Sequence, residues 1–184
     1  MSYSKEMPLS DWQKMFMEIY FPTRNYGRSR FELFTHMVKV FGAGSHFLFR
    51  RHDPAGTQRY LAKVFAWYCA LATRLGVDVE KALWEKYPRV CPRCLATVCE
   101  CGRAPDPIQV ERLQSIALER SSQRPVNLRD WQIMFANLYK GPFGGSEIPQ
   151  DRDRVALVFA RIAEELGEVG EAILIDASID ANAE

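Results

Sequence analysis

The chain of 184 residues is 47% hydrophobic and 26% charged, which supplies a packed core for one domain or two small ones and excludes disorder throughout. Its 24 Lys and Arg nearly balance 23 Asp and Glu, and a net charge of +1 gives no support for general nucleic-acid binding through phosphates. No run approaches the roughly 18 apolar residues that cross a bilayer and the start, "MSYSKEMPLSDWQ", has no apolar signal region, so no membrane partner is expected and the cytosol is the expected compartment.

Helical periodicity dominates in chain order. Trp12, Met15, Phe16, Ile19 and Tyr20 recur at the spacing of one apolar helix face, with Ser10 or Asp11 as its cap after Pro8. The loop "FPTRNYGRSR" leads to a second apolar stretch, "FELFTHMVKVFGAGSHFLFRR", which "HDPAG" breaks. A third helix, "TQRYLAKVFAWYCALATRLG", closes at Gly76, and Asp78 caps a short fourth that Pro88 ends. After a Cys-rich stretch, Asp106 and Pro107 read as N-cap and first residue of a helix through "IQVERLQSIALERS". A further helix, the loop "KGPFGGSEIPQ" and a long helix from about Asp151 to Ile175 complete the chain. No strand pattern intervenes, so the expected fold class is all-α.

Cys91, Cys94, Cys99 and Cys101 form C-x2-C-x4-C-x-C. Short loops let neighbouring cysteines converge on one ion, and four thiolates fill the tetrahedral shell of Zn2+. These four residues are therefore the expected ligands of a closed, structural zinc site. Reduced, unligated cysteines on a loop are the alternative. Cys69 lies on an apolar helix and reads as a core residue. The four Trp read as core, and His36, His46 and His52 as core or surface histidines without ligand partners. Gly141–Gly145 lack the Lys-Ser/Thr that a phosphate-binding P-loop requires.

One phrase occurs twice. "LSDWQKMFMEIY" at 9–20 matches "LRDWQIMFANLY" at 128–139 in seven of twelve positions. An apolar face explains the shared Met, Phe and Tyr, but not the shared Asp-Trp-Gln, so the pair reads as a duplication. Further on, an offset of 125 aligns Phe34 with Phe159 and Gly42 with Gly167. The expected organisation is a first helical unit over 1–90, a Cys-rich knuckle and linker helix over 91–127, and a second unit over 128–184.

The long last helix carries Glu164, Glu165 and Glu168 beside an apolar stripe of Val155, Phe159, Ile162, Leu166, Val169 and Ile173. Carboxylates three and four residues apart repel each other on a bare helix. A divalent ion such as Mg2+ cancels that repulsion and completes its shell with water and substrate phosphates. A solvated acidic face is the plain alternative.

"EELGEVGEAI" resembles the E-E-x-x-E helix of MazG-like nucleotide pyrophosphohydrolases, and "YLAKVFAWYCALATRLGVDVEKALWEKYPRVCPRC" is similar to that family's third helix, Lys-Tyr-Pro end and Cys-rich knuckle. The resemblance covers about residues 9–101 and 128–175. It implies a helical bundle assembling as a homo-oligomer or with a partner protein. It also implies a nucleotide substrate, hydrolysis of triphosphates to monophosphate and pyrophosphate, and Mg2+ held by Glu164, Glu165 and Glu168. The first copy departs from the pattern. Lys39, Val40 and Ala43 occupy its E-E-x-x-E positions, and Tyr60 and Lys63 its following E-x-x-D positions. In the second copy the E-x-x-D helix would fall beyond Glu184. A pyrophosphohydrolase and a non-catalytic, nucleotide-sensing or assembly module are therefore both expected readings.

Overall fold

A computed structural model describes residues 4, 6–25, 27–101, 107–140 and 152–181. They form seven α-helices: α1 (Leu9–Tyr20), α2 (Arg30–Ser45), α3 (Pro54–Arg74), α4 (Val79–Lys86), α5 (Val110–Glu119), α6 (Leu128–Leu138) and α7 (Arg152–Ala181). Short π-helical turns follow α1 and α2, and among the described residues there is no strand. The all-α expectation is met. The chain divides into two compact units, each drawn from two segments: Met1–Trp12 with Asp78–Arg154, and Gln13–Val77 with Val155–Glu184.

In the first unit, Leu9, Val79, Trp84, Leu113, Trp131 and Leu138 form a buried apolar core. Trp84 and Trp131 meet edge to face at 6.3 Å, the geometry that ring quadrupoles favour. The buried indole of Trp84 donates to the Ala117 carbonyl at 2.9 Å, so its N–H is not stranded. The start of α1 differs from expectation. The helix begins at Leu9, which places Ser10 and Asp11 inside it. The backbone N–H of Ser10 donates instead to Glu80 Oε2 at 2.9 Å. Glu80 is thus a cap supplied 70 residues away, and its second oxygen pairs with Arg124 at 3.5 Å. The charge of a carboxylate left 9% exposed is tolerable because both oxygens are engaged.

In the second unit, Leu33 and Met37 of α2 and Ala70 and Leu71 of α3 close around Ile173 of α7. Ser29 and Glu32 form a reciprocal capping box at the start of α2. Asp53 caps α3 through Gly56 N–H, so α3 starts at Pro54, three residues before the expected Thr57. Gly76 takes φ +68°, the left-handed conformation that ends α3 as expected. Phe159 stacks on Phe41 at 4.0 Å, and a Cβ on Gly170 would meet the Phe34 ring. Low numbers on α2 therefore face high numbers on α7, and the two helices run in opposite directions. The matching phrases at 9–20 and 128–139 open α1 and α6, at Leu9 and Leu128.

Of the tryptophans, Trp84 and Trp131 are buried, whereas Trp12 and Trp67 are half-buried. Cys69 is fully buried, and burial pushes its thiol up to about 12. The Gly141–Gly145 loop and Asp106 lie outside the described residues. The helix expected from Pro107 begins only at Val110. Gln109 explains the delay: its N–H donates to the Pro92 carbonyl at 3.3 Å and its side chain to the Arg93 carbonyl at 3.3 Å. Those bonds to the Cys-rich stretch hold the chain extended for one turn more.

Candidate metal centre

The end of α4 delivers the cysteine stretch. Pro88 cannot continue the helix, and Arg89 then adopts φ +61°, a left-handed conformation that turns the chain. Cys91 N–H donates to the Ala96 carbonyl at 2.9 Å and Leu95 N–H to the Cys91 carbonyl at 2.9 Å, closing a tight turn. Leu95 sits at φ +56° within it, a conformation that costs a side-chain-bearing residue roughly 1–2 kcal/mol. The turn brings Cys94 back over Cys91. The second pair comes from the far side of the loop, where Cys99 N–H donates to the Leu138 carbonyl at the end of α6 at 2.7 Å.

The result is a cluster. One ligand atom from each of Cys91, Cys94, Cys99 and Cys101 lies within 4.8 Å of every other. The sulfurs of Cys91 and Cys101 are 3.5 Å apart. A tetrahedral ion with bonds of about 2.3 Å holds sulfurs about 3.8 Å from one another, so the four residues fit such an ion after small shifts that open the Cys91–Cys101 pair and draw in wider ones. Cys91 is buried and the other three are half-buried. A hydrogen bond from Glu100 N–H, at 3.4 Å, lowers the Cys94 thiol to about 7. Burial raises Cys91, and burial together with the neighbouring sulfurs pushes Cys101 up to about 12. One thiolate is welcome here and further ones repel it; a bound cation removes that conflict. Tyr139, beside the cluster, is raised mainly by burial.

Among the described residues this is the one set of three or more His, Cys, Asp or Glu side chains brought so close. Glu164, Glu165 and Glu168 are each exposed on α7, and Glu164 accepts from Arg161 at 2.7 Å. The side chains of Arg152 and Arg154 lie outside the described ones. On α3, Lys63 Nζ sits 4.5 Å above the Tyr60 ring, so the positions that the resemblance gives to a second acidic motif hold a cation–π pair. His36 stacks on Trp67 at 4.8 Å, and His46 and His52 are exposed. No described helix is long and apolar enough to cross a membrane.

Sequence spacing finds the four sulfurs, because C-x2-C encodes its own turn. It does not find the anchor at Leu138, which depends on α6 packing against the loop. Compared with models of known families, with curated proteins and with solved structures, the chain matches none of them.

Proposed function

We propose that this chain is a zinc-stapled helical module that acts by binding and assembly, with no turnover of its own. The observation that carries this reading is the closed set of four thiols. Four thiolates leave no coordination position for water or substrate, and such sites stabilise folds. Here the ion would join the end of α4, through Cys91 and Cys94, to the loop anchored on α6. The descent implied by the MazG-like resemblance makes a nucleotide or a related helical chain the natural ligand. The Lys63–Tyr60 pair on α3 and the Arg161–Glu164 bond on α7 both work against a phosphate-bridging Mg2+ site.

The second reading is an active Mg2+-dependent pyrophosphohydrolase with Glu164, Glu165 and Glu168 as ligands. Its supporting observation is that all three carboxylates are open to solvent on one helix. One experiment separates the two. Pyrophosphate release is measured over a nucleotide panel with Mg2+, alongside metal content, for the native protein, Glu168→Gln and the pair Cys91→Ser, Cys94→Ser. The module reading expects one zinc per chain, lost in the Cys variant, and background release throughout. Release above background that falls in Glu168→Gln would establish the enzyme instead.

A further inference from the structure

Whole-chain charge conceals a strong segregation. Residues 33–77 hold six Lys and Arg against one acid, Asp53, while the rest of the chain carries a net charge of −4. Four of those cations, Arg50, Arg51, Arg59 and Lys63, are exposed where α2 turns into α3. The turn is fixed. Phe47 stacks on Tyr60 at 4.9 Å and packs on Gly56, where a Cβ would strike its ring. The π-helical turn His46–Arg50 is thereby folded along the first two turns of α3. Asp53 N–H donates to the Phe47 carbonyl at 3.0 Å, and His52 is held at φ +49°. Holding a non-glycine residue there costs energy, and such strain clusters at binding sites.

The charges on this end are poorly compensated. Asp53 spends one oxygen on its cap with Gly56 N–H and stands 3.9 Å from Arg59. Arg51 Nε donates to His46 Nε2 at 3.3 Å and not to a carboxylate. Lys63 rests on a ring. Among the described residues, Arg50 has no anionic partner. Arg59 and Lys63 are four residues apart on one face of α3, and Arg50 and Arg51 lie three and two residues before its cap, Asp53.

We propose that this helix-hairpin end binds the phosphate backbone of nucleic acid, without reading sequence. A repeating polyanion engages several guanidinium and ammonium groups at once and releases its condensed counterions, which a single phosphate group does not do. Arginine is suited to paired hydrogen bonds with phosphate oxygens. The half-buried rings of Phe47 and Tyr60 are already stacked, so they set the geometry of the cations and do not serve as base platforms. This surface is independent of the zinc site and of any nucleotide turnover.

The test is fluorescence anisotropy of end-labelled 20-nucleotide single strands and 20-base-pair duplexes of mixed sequence, from 50 to 200 mM salt. With four phosphate contacts, duplex affinity falls about 100-fold over that range. Arg50→Glu with Arg51→Glu lowers affinity at least 10-fold at 50 mM salt and reduces the salt slope by about two. Arg112→Glu with Arg129→Glu, an equal charge change on exposed sites of α5 and α6, leaves binding within twofold. Circular dichroism checks that both variants stay helical. The proposal is overturned by absence of binding to either oligonucleotide at 50 mM salt, or by equal losses in the two variants. Binding only to ATP, or only to vesicles of three parts phosphatidylcholine to one of phosphatidylglycerol, overturns it as well.

Discussion

Gly56 shows how one missing side chain can fix a turn. A Cβ there would overlap the Phe47 ring and lie 2.6 Å from Asp53 Oδ2. The ring is trapped against Tyr60 and the carboxylate is the cap of α3, so neither yields cheaply. Gly56→Ala is expected to destabilise the protein by about 1–3 kcal/mol, the usual cost of overpacking, measured by urea unfolding. An unchanged midpoint would mean the Phe47 ring is free to move. His36 makes a different residue-scale prediction. Burial against Trp67 lowers its pKa below the ordinary 6.5, and Arg28 and Lys39 add to the effect. The folded state therefore takes up the proton less readily than the unfolded chain. Its contribution to stability is complete above pH 6.5, declines as pH falls through 6.5 toward the folded value, and stays lost below it. An NMR titration of the imidazole should give a midpoint below 6.5, and His36→Gln should flatten the acid side of the stability profile. A midpoint at or above 6.5 would contradict the packing.

Among the elements, α7 owes its seat to a pair of glycines with opposite surroundings. At Gly170 a Cβ would come 2.7 Å from Phe34 Cζ, whereas at Gly167 nothing lies within 4 Å. Gly167→Ala should stabilise by up to about 1 kcal/mol, because glycine in an open helix position is costly. Gly170→Ala should destabilise despite the same gain in helix propensity, and hydrogen exchange should quicken along α7. Equal effects at both sites would show that α7 is not packed on Phe34. Local chemistry in these elements is legible in the sequence. Asp78 is read as the cap of α4 and Gly76 as the stop of α3, because each acts within four residues. The late start of α5 is not legible, since Gln109 is held by carbonyls 16 and 17 residues earlier. Nor is the cap of α1, where the local candidates Ser10 and Asp11 lose to Glu80. In the candidate metal centre the same division holds. The ligand spacing is local and visible, while the α6 carbonyl that positions Cys99 is not.

For the molecule as a whole, the cluster belongs to one unit only, and that gives removal of any metal it binds a localised signature. Chelation should speed hydrogen exchange in residues 88–101 and in α6, and perturb the near-ultraviolet signal of Trp84 and Trp131. Exchange in α2, α3 and α7 should hardly change, because their core of Leu33, Met37, Leu71 and Ile173 contains no cysteine ligand. Uniform loosening of both units would show that a metal bound by the cluster supports more than its own unit. Charge also becomes interpretable only at this scale: a balance near zero for the chain coexists with a cationic end on α3 and an acidic strip on α7. No whole-chain count resolves those two, because opposite charges held in different segments cancel in the total.

The discontinuity of the two units bears on how the protein is made. A ribosome delivers α2 and α3 long before the Ile173 that closes their core. The first unit waits too: Ser10 is synthesised long before Glu80, and Arg124 comes later still. Each unit waits for a segment made much later, so the N-terminal-first order common among multidomain chains does not apply to two units that interleave in sequence. Its nascent helices must keep their apolar faces from other chains until those late segments emerge, which makes the protein a candidate client of the chaperones that meet unfinished polypeptides at the tunnel exit.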